Sequence, residues 1–170
     1  MKLPEGVGAK SSSSAPWNLP AGTIQISATW TLRQYTRTIG QGPGITTLQA
    51  ASGFSAGPMI QFGCLGLTYS SSYGVSVENL TLDANTANSG VSIDGIDNND
   101  AEELTYVKHV QMINITGTGL SLGIDGSTSK SNHSGPYSDI SIAETGTGAF
   151  CINIQPAAQP RDIHGVNCIW

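Results

Sequence analysis

Leu80, Val110 and Ile140 stand 30 residues apart, and Leu82, Met112 and Ile142 repeat the same interval two positions on. The segments VENLTLD, VKHVQMI and YSDISIA therefore share two alternating apolar positions, as a strand with one inward face requires. A second apolar segment follows each of them. Gly90, Gly119 and Gly148 are 29 apart and open VSI, LSL and AFCI, after the similar linkers TANSG, ITGTG and ETGTG. An earlier round is fainter: TTLQA (46–50) matches LTLDA (80–84), and MIQFG (59–63) matches VSIDG (91–95). A later round starts at RDIHG (161–165), an echo of SDISI (138–142).

Two strands per repeat, stacked rung on rung, describe a β-solenoid of roughly 30-residue turns. Each strand then pairs in parallel with its counterpart about 4.8 Å away, and inward residues line up as apolar ladders. A β-sandwich also has short strands, but gives no reason for side chains to repeat at a fixed interval. The leader or cap spans residues 1–18, with SSSS and two prolines, and the repeating domain spans 19–170. DAEELTYVKH (100–109) is the one stretch that suits a helical turn. The chain stops on the apolar strand VNCIW, which predicts a fragment of a longer helix, or an end covered by self-association or another domain.

Composition narrows the partners. Charged residues are 11% of the chain, against roughly 25% in average soluble domains. The net charge is -5, and seven Lys and Arg cannot make a phosphate-binding stripe, which excludes nucleic acid. No run of 18 apolar residues crosses a membrane, and MKLPEGVGAK lacks the apolar core of a secretion signal. Three cysteines, Cys64, Cys151 and Cys168, cannot all pair within the chain and show no metal-ligand spacing. They read as small core residues or a free thiol, with a single disulfide as the alternative.

LPAGT (19–23), followed by GPGITTL (42–48), resembles the opening of pectate lyase-like proteins, and the three repeats resemble that superfamily's rung strands. The resemblance covers about residues 19–170 and implies an all-β, right-handed parallel β-helix. It also implies an extracellular or cell- or virion-surface location. For activity it implies little, because lyases, hydrolases, tailspikes and non-catalytic adhesins share the fold. Of the polygalacturonase-type NTD, DD, GHG and RIK blocks, the chain offers NND (98–100) and IHG (163–165) and has no DD or RIK.

If Leu80, Val110 and Ile140 point inward, their preceding residues Asn79, His109 and Asp139 form one outward column. The echo of SDIS in RDIH adds Asp162 below Asp139, with Arg161 at its flank. Two carboxylates one rung apart come close to the about 5–5.5 Å separation used by retaining glycosidases. One would hold its proton as the acid, while His109 or Arg161 keeps the other ionised. Asn79, Gln111, Tyr137 and His164 are the candidate sugar contacts. The acidic loop SIDGIDNNDAEE (92–103) offers Asp94, Asp97 and Asp100 as hard oxygen ligands, with calcium the candidate ion and no cofactor otherwise required. The same stretch also reads as a solvated loop, and the column as a polar ladder facing water. The leading function is recognition, with or without cleavage, of an extracellular polysaccharide along the side of the helix. The alternative is a non-catalytic structural or adhesive module, such as a tailspike segment or a surface protein.

Overall fold

The computed structural model describes residues 16–63, 74–98, 104–123, 134–146, 150–155 and 158–169. Residues 1–15 of the expected leader, Cys64, Asp100, His133, Gly148 and Trp170 lie outside these segments. Within them the chain is all β except for one 3-10 turn, Thr86–Asn88. The strands are β1 (Trp17–Asn18), β2 (Gly22–Ile26), β3 (Trp30–Leu32), β4 (Arg37–Ile39), β5 (Thr46–Ala50), β6 (Gly57–Phe62) and β7 (Ser76–Asp83). They continue with β8 (Ile93–Asn98), β9 (Tyr106–Ile115), β10 (Leu120–Leu122), β11 (Tyr137–Glu144), β12 (Ile152–Ile154) and β13 (Ile163–Ile169). One sheet runs β1-β4-β7-β9-β11-β13, with β5 also beside β7 and β2 beside β5; the other runs β12-β10-β8-β6-β3. Every strand pair is parallel, and partners lie one repeat apart in the chain, the arrangement of a parallel β-repeat stack.

The apolar ladders expected from the repeat are present. Leu80, Val110, Ile140 and Val166 are successive partners, as are Leu48, Leu82, Met112, Ile142 and Cys168. A third ladder stacks Thr38, Val77, Val107, Tyr137 and Ile163. From the second sheet, Trp30, Ile60, Ile96, Leu120 and Ile152 face the same core. Each fully buried aliphatic contributes roughly 1.5–3 kcal/mol, provided that the rungs on either side cover it. Val166 and Cys168 are less covered than the residues they stack on, because among the described residues no strand lies beyond β13.

Strand β7 meets two strands of the preceding rung: Ser76–Glu78 pairs with β4, and Thr81–Asp83 pairs with β5. Between the two halves the backbone turns at Asn79, whose φ is 55°. The same break falls at His109 in β9, Asp139 in β11 and Gly165 in β13, with φ of 55°, 55° and 62°. Each wide sheet strand is thus bent at one left-handed residue per rung.

Five expectations need correction. In the second sheet Ile96 pairs with Leu120 and Leu120 with Ile152, so Gly95, Gly119 and Cys151 are equivalent, and Gly90 and Gly148 are not part of that set. The MIQFG match is likewise shifted, because Ile60 pairs with Ile96 and Phe62 with Asn98. The acidic stretch is strand β8 over Ile93–Asn98, not a loop, and Tyr106–His109 belongs to β9, not to a helical turn. Cys151 and Cys168 form a disulfide with their Cα atoms 5.8 Å apart, joining the last rung of one sheet to the approach to β12 in the other.

Candidate functional site

The outward column runs Asn79, His109, Asp139, and its fourth member is Gly165. Tyr137 pairs with Ile163, Ser138 with His164 and Ile140 with Val166, which leaves Gly165 opposite Asp139. The match of RDIHG to SDISI is therefore three residues out of register, and Asp162 does not stack below Asp139. A Cβ placed on Gly165 would lie 3.1 Å from Asp139 Oδ1, which puts the Asp139 side chain over a glycine. Asp162 instead accepts from or faces His164, Oδ1 to Nδ1 at 2.8 Å, on the exposed last rung. Higher in the column His109 Nδ1 meets Asn79 Oδ1 at 2.9 Å. Arg161 is exposed, and its backbone N–H donates to the Ser134 carbonyl.

The remaining sugar-contact candidates disperse. Gln111 stands in the outward row Thr81–Gln111–Ser141–Asn167, where it accepts from the Thr81 hydroxyl at 3.2 Å. His164 stands in the neighbouring row, Glu78–Lys108–Ser138–His164. Tyr137 points inward and is completely buried, a correction to its expected place on the sugar-facing side. Its ladder position below Val107 turns the ring into the core, where Asn98 Nδ2 donates to its hydroxyl at 2.7 Å and Ser134 shares the contact. Burial pushes the Tyr137 phenol up to about 12 against those two bonds.

Asp94 and Asp97 lie three positions apart on β8, both half-buried. Asp94 accepts from the Thr118 backbone N–H at 2.6 Å, and burial pushes its carboxyl up despite that bond. Among the described residues no three His, Cys, Asp or Glu side chains converge as a metal site would need, and Asp100 lies outside them.

A different cluster does converge. Arg37, Ser76 and Tyr106 are successive register partners on β4, β7 and β9, and all three reach Glu78 Oε1. The Arg37 guanidinium donates at 2.8 Å, the Tyr106 hydroxyl at 2.7 Å and the Ser76 hydroxyl at 3.0 Å. Arg37 also donates to the Tyr106 oxygen at 3.1 Å. Burial acts to raise the Glu78 carboxyl, but the bonds from Tyr106, Arg37 and Ser76 together with the Arg37 charge outweigh it and hold it below the usual range. The Tyr106 phenol is raised, by burial first and by its bond to Glu78 second. Beside the cluster lies a groove of about 320 Å³ lined by Tyr35, Arg37, Gly74, Leu104 and Tyr106. Sequence reasoning missed this cluster; the available signal was the spacing of Ser76 and Tyr106, one repeat apart.

Among the described residues, one buried carboxylate has no hydrogen-bond partner at either oxygen. Glu144, at the end of β11, is 7% exposed, and neither of its oxygens takes a hydrogen bond. Burial raises its pKa. An acid whose folded pKa is raised costs stability once pH climbs past its unfolded pKa of about 4.3. Glu144→Gln is therefore expected to melt higher than the parent at pH 7, with the difference closing at pH 4. Thermal melts at the two pH values check this.

No protein-family model matches the chain, and no curated protein matches it. Among solved structures, the pre-mature bacteriophage phi29 gene product 12 matches with a TM-score of 0.53 at 19% identity, over 82% of this chain and 20% of that one. The chain thus spans about a fifth of the length of that protein, and at this identity the likeness is one of fold, a β-rich repeat.

Proposed function

We propose that this chain is a non-catalytic structural module, a right-handed stack of rungs within an elongated surface appendage such as a tailspike segment. Right-handed winding follows from the strong preference of parallel crossovers for that hand. The fold likeness to a bacteriophage gene product fits this reading, and the disulfide suits an oxidising exterior.

The observation that carries the proposal is the chemistry of the bend column. Asn79, His109, Asp139 and Gly165 all hold positive φ. Asn, Asp, His and Gly are the residue types that tolerate the left-handed region best. Backbone conformation alone accounts for a column that otherwise looks like a row of acids and bases. In the register of β11 and β13, Gly165 takes the place expected for Asp162, which favours a structural role for the column over a catalytic one.

The test uses substitutions that separate conformation from chemistry. Asp139→Gly and His109→Asn should melt like the parent, whereas Asp139→Val should lose about 1–2 kcal/mol by forcing a β-branched residue into the left-handed region. Incubation with acidic and neutral polysaccharides should release neither reducing ends nor unsaturated products. Release that disappears in Asp139→Gly would make the chain an enzyme and overturn the proposal.

A further inference from the structure

We infer that the groove between Tyr35, Arg37, Gly74, Leu104 and Tyr106 is a binding subsite for one neutral pyranose ring of a glycan. It lies beside the bend column rather than in it, and needs no chemistry from that column.

The first support is where the fold tolerates unfavourable backbone. Eight non-glycine residues among those described have positive φ. Six are Asn, Asp or His, the types that tolerate it. The other two are Tyr35 and Leu104, at φ of 60° and 62°, and both line this groove. Bulky side chains rarely adopt this conformation, and such outliers cluster where a ligand is gripped. Both are also exposed, Tyr35 by 49% and Leu104 by 74%, so burial in the core does not explain them. Tyr35 is held in place: a Cβ on Gly74 would stand 3.1 Å from its Cδ1, which shows the ring lying against the glycine backbone.

The second support is the match of the groove's walls to a sugar. Tyr35, Tyr106 and Leu104 offer apolar faces for the C–H side of a pyranose ring, and an aromatic wall with a few fixed polar groups is the general form of a small-ligand site. Two of the lining residues are fixed from behind: the Arg37 guanidinium and the Tyr106 hydroxyl both donate to Glu78 Oε1, which itself does not line the groove. The Arg37 side chain keeps 45% of its surface accessible and carries more N–H groups than its two bonds use. A sugar hydroxyl can then accept from the guanidinium, whose position the bond to Glu78 fixes. Arg37 and Glu78 neutralise each other, and the whole chain carries a net charge of -5, so a neutral ring is favoured over a uronate.

The experiment is saturation-transfer NMR on the full chain with maltohexaose, cellohexaose and chitohexaose as neutral probes and hexagalacturonate as the acidic one. At least one neutral hexamer should receive saturation at its ring C–H protons, and hexagalacturonate should receive less. Tyr35→Ala and Arg37→Gln should each weaken the neutral hexamer at least about fivefold, the loss of one stacking or charge-assisted contact, with the Tyr35→Ala melting midpoint retained. The assignment is overturned if no neutral hexamer is saturated, if hexagalacturonate binds best, or if both variants bind like the parent.

Discussion

Val110→Asp is expected to leave the chain unfolded. Val110 is 1% exposed and sits in register between Leu80 and Ile140, with apolar side chains on both neighbouring rungs. A carboxylate there has no partner and no water, and burying an uncompensated ionised group costs far more than a missing contact. Domains of this size have only about 5–15 kcal/mol to lose. Val110→Ala is the control: it removes two methyl groups, should cost about 2 kcal/mol, and should still melt cooperatively. Circular dichroism and thermal melts distinguish the two. A soluble, cooperatively melting Val110→Asp chain with the parent's midpoint would show that Val110 is not interior.

Loss of the disulfide is the second large effect, and it is expected to be local. The bond closes a loop with a sequence separation of 17, for which removing the constraint costs about 3 kcal/mol. Cys168 continues the ladder below Ile142, and Cys151 O accepts from the Leu120 N–H, so the bond ties β13 to the other sheet through the rung above. Cys168→Ser should therefore raise amide exchange in Ile163–Ile169 roughly a hundredfold, the equivalent of that energy. Exchange in β7 and β9 should change little. Uniform acceleration across all rungs would mean that the stack opens as one unit and that the last rung is not separately latched.

The first sheet was legible in the sequence because β7, β9 and β11 bend at equivalent residues and pair without a shift up to Leu82, Met112 and Ile142, so their apolar positions recur at 30 residues and give the true register. The second sheet was not. The 3-10 turn at Thr86–Asn88 lengthens one connection, and in β9 an extra residue shifts the register between Ile142 and Glu144. Equal glycine spacing there was coincidence. At the C-terminal end SDIS and RDIH look alike, but the hydrophobic pattern Tyr137–Ile140–Ile142 fits Ile163–Val166–Cys168, and packing decided the register. The outward column of Asn79, His109 and Asp139 was legible as a column; its meaning was not, because side-chain alternation says nothing about φ. The groove was hidden for a different reason. Arg37 and Ser76 are partners 39 residues apart, outside the repeat interval, so their approach to Glu78 exists only after the rungs stack.

The direct test of the stack is methyl NOE spectroscopy on the folded chain, read at Val110. In-register parallel rungs place the Val110 methyls next to Leu80 on one side and Ile140 on the other, at about 4.8 Å per rung. Cross-peaks from Val110 to both residues, with Met112 reaching both Leu82 and Ile142, are the predicted result. Cross-peaks to one neighbour only, or to residues that an antiparallel or shifted pairing would bring opposite Val110, would contradict it.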